Sequence, residues 1–205
     1  MEQKRNIVFD MGGVLVVWDP DRFVRDLALS SEDAALIRRE VYGNTEWAMM
    51  DRGELTAEAF RALVYPRLPE RLRDAAERAA FHWTDARLEI PGMHELLEDL
   101  KRAGHSLYLL SNASLQHHDY WPKYPIARRI DPSRVFISAD VNLLKPEPAI
   151  YERFLAEYGL DPATCVFIDD NPINVLYARL AGMDGIVCFG EADRLRSDLH
   201  ARGAL

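Results

Sequence analysis

Four polar groups each stand at the end of a short apolar run or just beyond one. They are Asp10 after NIVF, Ser111-Asn112 after SLYLL, Lys145 beyond VFIS, and Asp169-Asp170 after CVFI. A carboxylate such as Asp10 can attack phosphorus to give an aspartyl-phosphate, which splits one difficult displacement into two easier ones. The Ser111 hydroxyl can donate to a phosphoryl oxygen, with Asn112 beside it. Lys145 precedes Pro146, and a residue before proline is held extended. Its ammonium could steady Asp10 and offset charge that develops on a phosphoryl group. Asp169 and Asp170 repel each other unless a cation lies close. Magnesium suits them, since it takes oxygen ligands and keeps several waters. Singly, each group has a plainer reading: a turn cap, a turn, a surface charge, an acidic helix start. Their recurrence at strand ends, in this order, points instead to hydrolysis of a phosphate ester with Asp10 as nucleophile.

The elements that must position these groups follow from hydropathy. Residues 6–9, 106–110, 135–138, 165–168 and 185–188 are short, continuous apolar runs, as expected of parallel strands buried on both faces. Between them the spacing predicts helices over 91–103, 148–158 and 172–181. Each opens on a proline, and the first two are followed directly by glycine, as is the third at Gly182. Alternating helix and strand implies an α/β sheet with crossover helices. In such a sheet, ligands bind at the carboxyl ends of the strands. Residues 19–88 show no strand. Helices are expected there over 20–29, 31–41, 56–64 and 70–81, with Ser30 or Ser31 and Thr56 as caps.

Composition narrows the classes. The chain has 205 residues, 48% of them hydrophobic and 28% charged, enough for one sizeable core. A formal charge of -8 and a pI near 5.3 argue against nonspecific nucleic-acid binding. No apolar run approaches the roughly 20 residues of a membrane span. Residues 1–5 (MEQKR) lead straight into the first strand with no signal-peptide pattern, so a cytoplasmic location is expected. Cys165 and Cys188 lie in apolar strands and read as small buried hydrophobes.

The segments FDMGGVL (9–15), LLSNAS (109–114), LKPEPAIY (144–151) and FIDDNPINV (167–175) resemble the haloacid dehalogenase-like hydrolase superfamily. The segments DRGELTAEAF (51–60) and HDYWPKYP (118–125) are similar to its bacterial glucose-1-phosphate phosphatase-like subgroup. The resemblance implies an α/β fold: a Rossmann-like parallel-sheet core (1–18 and 89–205) with a small all-helical cap (19–88) inserted after the first strand. It also implies a magnesium-dependent phosphatase acting on a small phosphorylated metabolite, as a monomer or homodimer. Asp10 would be nucleophile and metal ligand, and the Gly12 carbonyl a second metal contact. Ser111 and Asn112 would bind phosphate and Lys145 would be the motif lysine. Asp170 would bind metal with Asp169 in support. Asn174 stands where many members carry another acid.

One departure matters. Members of the superfamily that act as phosphatases mostly carry a second Asp two residues after the nucleophile, to move the proton. Here that position is Gly12. General acid–base help is worth about 10²–10⁴-fold, so an activated leaving group, such as an anomeric sugar phosphate, becomes the expected substrate. Two other readings stay open: dehalogenation, in which halide leaves without a proton, and a binding module on an inherited fold. In the cap, Trp47 and Arg52 are expected near a turn and facing substrate, with Trp18, Tyr42, Trp83 and Trp121 nearby. His117 and His118 read as a surface pair or as ligand contacts, and His82 as partly buried.

Overall fold

The apolar runs pair into a single five-stranded parallel sheet in the order β3-β2-β1-β4-β5. The strands are β1 (Asn6–Phe9), β2 (Ser106–Ser111), β3 (Val135–Ile137), β4 (Cys165–Asp169) and β5 (Asp184–Val187). This computed structural model describes residues 4–205. Part of the MEQKR segment, residues 1–3, lies outside the described residues. Strand β1 is central, with Phe9 paired to Leu109 on one side and to Ile168 on the other. The chain runs outward through β2 and β3, then crosses back to β4 on the far side of β1. That reversal opens a crevice at the carboxyl ends of β1, β2 and β4.

Successive side chains of a strand point to opposite faces, so each apolar run feeds two cores. On one face Ile7, Phe9 and Leu109 pack against α6 (Met93–Arg102) and α10 (Ala192–His200). On the other, Val8, Leu110 and Phe167 meet α8 (Pro148–Tyr158) and α9 (Pro172–Leu180). The continuous hydropathy of the strands therefore reflects burial on both sides. Cys165 and Cys188 are free and buried.

Residues 20–81 fold into helices with a third core of their own, built on Ile37, Val41, Met50 and Phe60. These are α1 (Pro20–Arg25), α2 (Ser31–Ile37), α3 (Thr45–Asp51), α4 (Ala57–Val64) and α5 (Arg73–Phe81). Ser30 and Thr56 cap α2 and α4 through their hydroxyls. Helix α1 is shorter than its pattern suggested, and the turn that follows holds Ala28 at positive φ. Beyond Ile37, α2 widens into a π-helical turn over Arg38–Tyr42. The two crossings to the sheet layer run side by side: Val17 N–H donates to Leu88 and Ile90 N–H to Leu15, each at 2.8–2.9 Å.

Helix α3 occupies a stretch where the sequence suggested a turn. Its inward positions are Glu46 and Met50, and Glu46 is buried as the ion-pair partner of Arg67. A charged residue on the inner face hides the helical period. Among the described residues no helix is long and apolar enough to cross a membrane.

Candidate active site

Lys145 organises the strand ends. Its Nζ donates to Asp10 Oδ1 and Asp169 Oδ2, both at 2.7 Å, and to the Leu110 carbonyl at 3.0 Å. The lysine can reach these partners because Asn112 holds its backbone at both ends. The Asn112 amide donates to the Lys145 carbonyl at 2.9 Å and accepts from the Lys145 N–H at 2.8 Å. Asn112 is thus tied to the lysine loop, while buried Ser111 lines the cleft beside it. Asp169 is held further by the Asn171 backbone N–H at 2.8 Å and by Asn174 Nδ2 at 3.0 Å. The residue at the expected acid position is therefore an amide that orients Asp169.

Among the described residues Asp170 has no such tie to a cation. Its Oδ2 lies where a Cβ on Gly13 would be, at 2.3 Å, and Gly13 also has φ +72°. Only glycine permits that approach and that conformation together. One carboxylate oxygen from each of Asp10, Asp169 and Asp170 falls within 4.8 Å of the others.

Charge in this cluster is unbalanced. Burial works against the Lys145 ammonium, but Asp10 and Asp169 outweigh it and keep its pKa above the ordinary lysine value. One ammonium cannot balance three carboxylates. Burial pushes Asp10 up to about 7; Lys145 opposes this and Asp169 adds to it. Burial, and then Asp169, push Asp170 up to about 6. An all-oxygen donor set with one ammonium among three carboxylates fits a hard divalent cation such as magnesium. Of the four residues expected to meet the metal, Asp10, Gly12 and Asp170 line the cleft, while Asp169 lies beneath it on Lys145.

The cleft encloses about 490 Å³ between the sheet edge and the helical layer. Its far wall is aromatic. Trp18 packs edge-on to Trp83 at 4.7 Å and tilts against Trp47 at 5.5 Å, and Trp47 meets Tyr42 at 5.0 Å. Trp47, expected to face substrate, lines this wall.

Arg52 does not line it, and its placement corrects the sequence reading. Its guanidinium pairs with Glu147 and donates to the Asn142 carbonyl at 3.2 Å, so it ties the helical layer to the lysine loop. The neighbouring Asp51, not among the expected site residues, faces the cleft instead. The segment DRGELTAEAF already contained it. The histidines are also placed elsewhere. His117 is buried and stacked on Trp121 at 5.7 Å, and His118 bonds Asp140 at 2.9 Å. His82 is exposed rather than partly buried, and bonds Asp85.

Comparison with known proteins agrees with this architecture. A flavin mononucleotide hydrolase from Arabidopsis thaliana is 32% identical over 114 residues, which is 56% of this chain and 45% of the plant protein. The chain thus spans less than half of that relative's length. A sesquiterpene phosphatase from Aspergillus oryzae is 27% identical over 189 residues, 87% of each chain. A haloacid dehalogenase family enzyme from Bacteroides thetaiotaomicron, solved with magnesium and inorganic phosphate, superposes with a TM-score of 0.66 at 21% identity. That match covers 90% of this chain and 93% of the other. The model of the haloacid dehalogenase-like hydrolases matches residues 4–182. With its parallel sheet, its carboxylates on one lysine, and that match, the chain belongs to the haloacid dehalogenase-like hydrolase family and is a hydrolase.

Proposed function

We propose that the protein is a magnesium-dependent phosphatase that hydrolyses a small phosphate monoester through an aspartyl-phosphate on Asp10. The observation that carries this reading is Lys145 Nζ set 2.7 Å from both Asp10 and Asp169, beside an Asp170 that pairs with no cation among the described residues. Asp10, Asp170 and the Gly12 carbonyl would hold magnesium, with Asp169 in support. When bound, the ion supplies positive charge that draws phosphate in and offsets charge on the transferring group.

The chain's own residues supply the rest. Lys145 opposes protonation of Asp10 and holds its carboxylate at the cleft. The Ser111 hydroxyl lines the phosphate end and can donate to a phosphoryl oxygen. Asn112 acts through Lys145 by fixing its backbone. The helical layer would act as the cap, and its aromatic wall would exclude water from the reacting end.

The body of the ester meets Trp18, Trp47, Trp83 and Tyr120. Such rings stack on the C–H faces of a sugar, so a sugar phosphate is the first reading. The extent of that wall, with Met50 and Phe81 beside it, favours a second reading: a phosphate ester with an apolar body, as the name of the Aspergillus oryzae relative describes for that protein.

A screen of sugar phosphates, isoprenoid phosphates and p-nitrophenyl phosphate, with and without magnesium, tests both readings. Phosphate release that requires magnesium and disappears in Asp10→Asn is the expected result. Release that survives Asp10→Asn unchanged would overturn it.

A further inference from the structure

The leaving oxygen of an ordinary phosphate ester needs a proton, and Gly12 cannot supply one. A larger residue at that position would also be crowded: a Cβ on Gly12 would stand 3.0 Å from Trp18 Cβ, which would have to give way. The proton must come from elsewhere on the cleft wall. Among its titratable residues, Asp10, Asp170 and Lys145 already have roles, and Arg38 is permanently charged and paired with Asp21. Tyr42 donates its hydroxyl to the Ala79 carbonyl at 2.6 Å. Burial, and then the charge of Asp51, hold the Tyr120 hydroxyl well above the usual tyrosine range. That leaves Asp51.

Resting on the phosphatase reading above, we propose that Asp51, at the carboxyl end of α3, is the catalytic acid and base that takes the place of the side chain missing at Gly12.

Its position is built rather than incidental. The Ser138 hydroxyl donates to the Asp51 carbonyl and accepts from the Ala113 N–H at 2.9 Å, which joins α3 to the loop after β2. Two residues on, Gly53 has φ +77°, and a Cβ there would fall 2.3 Å from the Ala139 carbonyl. Asn142 Nδ2 donates to the Arg52 carbonyl at 3.0 Å, and the Arg52–Glu147 pair completes the clamp. Arg52 is thus a positioning residue for Asp51.

The carboxyl's surroundings suit the task. The groups acting on it are Asp10 from the sheet edge, the Trp47 indole from α3 and the Ser114 N–H from the loop after β2; Tyr120, whose own hydroxyl feels the charge of Asp51, lines the same cleft. No ion pair to Asp51 forms among the described residues. Burial pushes its pKa up to about 7, Trp47 and Ser114 restrain the rise, and Asp10 adds to it. A group poised near neutrality can both give and take a proton.

The steps balance. An Asp10 oxygen forms a bond to phosphorus as the bond to the leaving oxygen breaks. The electron pair stays on that oxygen, and the neutral Asp51 carboxyl gives it a proton. Alcohol, aspartyl-phosphate and an Asp51 carboxylate result. Water then attacks phosphorus while Asp51 removes its proton, and the bond between Asp10 and phosphorus breaks with its electron pair returning to the Asp10 carboxylate. Inorganic phosphate leaves, and the Asp10 carboxylate and the neutral Asp51 carboxyl are regenerated.

The test compares wild type, Asp51→Asn, Asp51→Glu and Asp10→Asn on phosphate monoesters of graded leaving-group pKa, with magnesium, in the first turnover. Asp51→Asn is expected to lose about 10²–10³-fold on alkyl esters but only a few-fold on p-nitrophenyl phosphate, whose leaving group needs no proton. Asp51→Glu should recover part of the alkyl rate. Equal loss on all esters, or none, overturns the proposal. Wild type gives a second readout: a rate that falls steeply with leaving-group pKa also overturns it. The two failures are distinguishable. If wild type shows no Asp10-dependent turnover of any ester, the phosphatase reading itself fails. If wild type turns over and Asp51→Asn loses all esters equally, only the role of Asp51 fails.

Discussion

At the scale of single residues, Lys145 is the pivot of the site. It is buried against two carboxylates, so its removal leaves Asp10 and Asp169 buried without a counter-charge. Breaking a buried pair in this way costs about 3–5 kcal/mol. Lys145→Met should lower stability by that order in urea unfolding, and magnesium should restore part of it. Unchanged stability would mean that the ammonium is not the main support of the cluster. Gly13→Ala places a methyl group on the Asp170 carboxylate and strains the backbone. Magnesium affinity in titration calorimetry should fall by at least tenfold, and equal affinity would remove Asp170 from the metal site. Asp10, Lys145 and the aspartate pair were legible in sequence because each ends a strand or follows one closely, and strand ends show in hydropathy. Arg52 and Asp51 were not sorted, because neighbours on a helix end point in different directions and only the docked helix decides which one meets the cleft.

At the scale of elements, the clamp between α3 and the sheet layer sets the geometry. Ser138 is fully buried and serves both Asp51 and Ala113. Ser138→Ala leaves the partly buried Asp51 carbonyl and the buried Ala113 N–H without this partner. We expect a loss of about 1–3 kcal/mol in urea unfolding, together with slower turnover. The helix that starts at His117 carries a different prediction. The His117 ring is buried, its Nε2 has no partner among the described residues, and burial pushes its pKa from 6.5 down to about 3. The folded state therefore holds it neutral while the unfolded chain takes up a proton below about 6.5. The unfolded state then binds more protons, so the stability His117 contributes above pH 6.5 is lost as pH falls toward 3. His117→Phe, which keeps a ring on Trp121, should flatten the acid limb of a plot of stability against pH. An unchanged limb would assign acid sensitivity to other groups. Of the two histidines read as a surface pair or as ligand contacts, His118 is exposed and His117 is buried, since sequence spacing does not say which face of a short helix is covered.

At the scale of the whole molecule, strand order could not be read from the sequence. Pairing of β1 with β4 joins residues far apart in the chain, and no local pattern encodes it. The sheet's existence was legible, because residues buried on both faces leave continuous apolar runs. The helical layer was legible as an absence of strands, although α3 was hidden by buried Glu46. The cleft between layers needed both. A cation bound there and not by the unfolded chain should raise thermal stability, by about 2.7 kcal/mol at one hundred times its dissociation constant. Asp170→Asn should abolish that shift, and a shift retained in full would place the ion elsewhere.

The central claim is that Asp10 carries the phosphoryl group. Rapid acid quench during turnover of p-nitrophenyl phosphate, followed by peptide mass spectrometry, tests it directly. One phosphoryl group is expected on the peptide containing Asp10, formed only with magnesium, sensitive to hydroxylamine and absent in Asp10→Asn. Turnover with that peptide unmodified, or phosphoryl found on another residue, would contradict it.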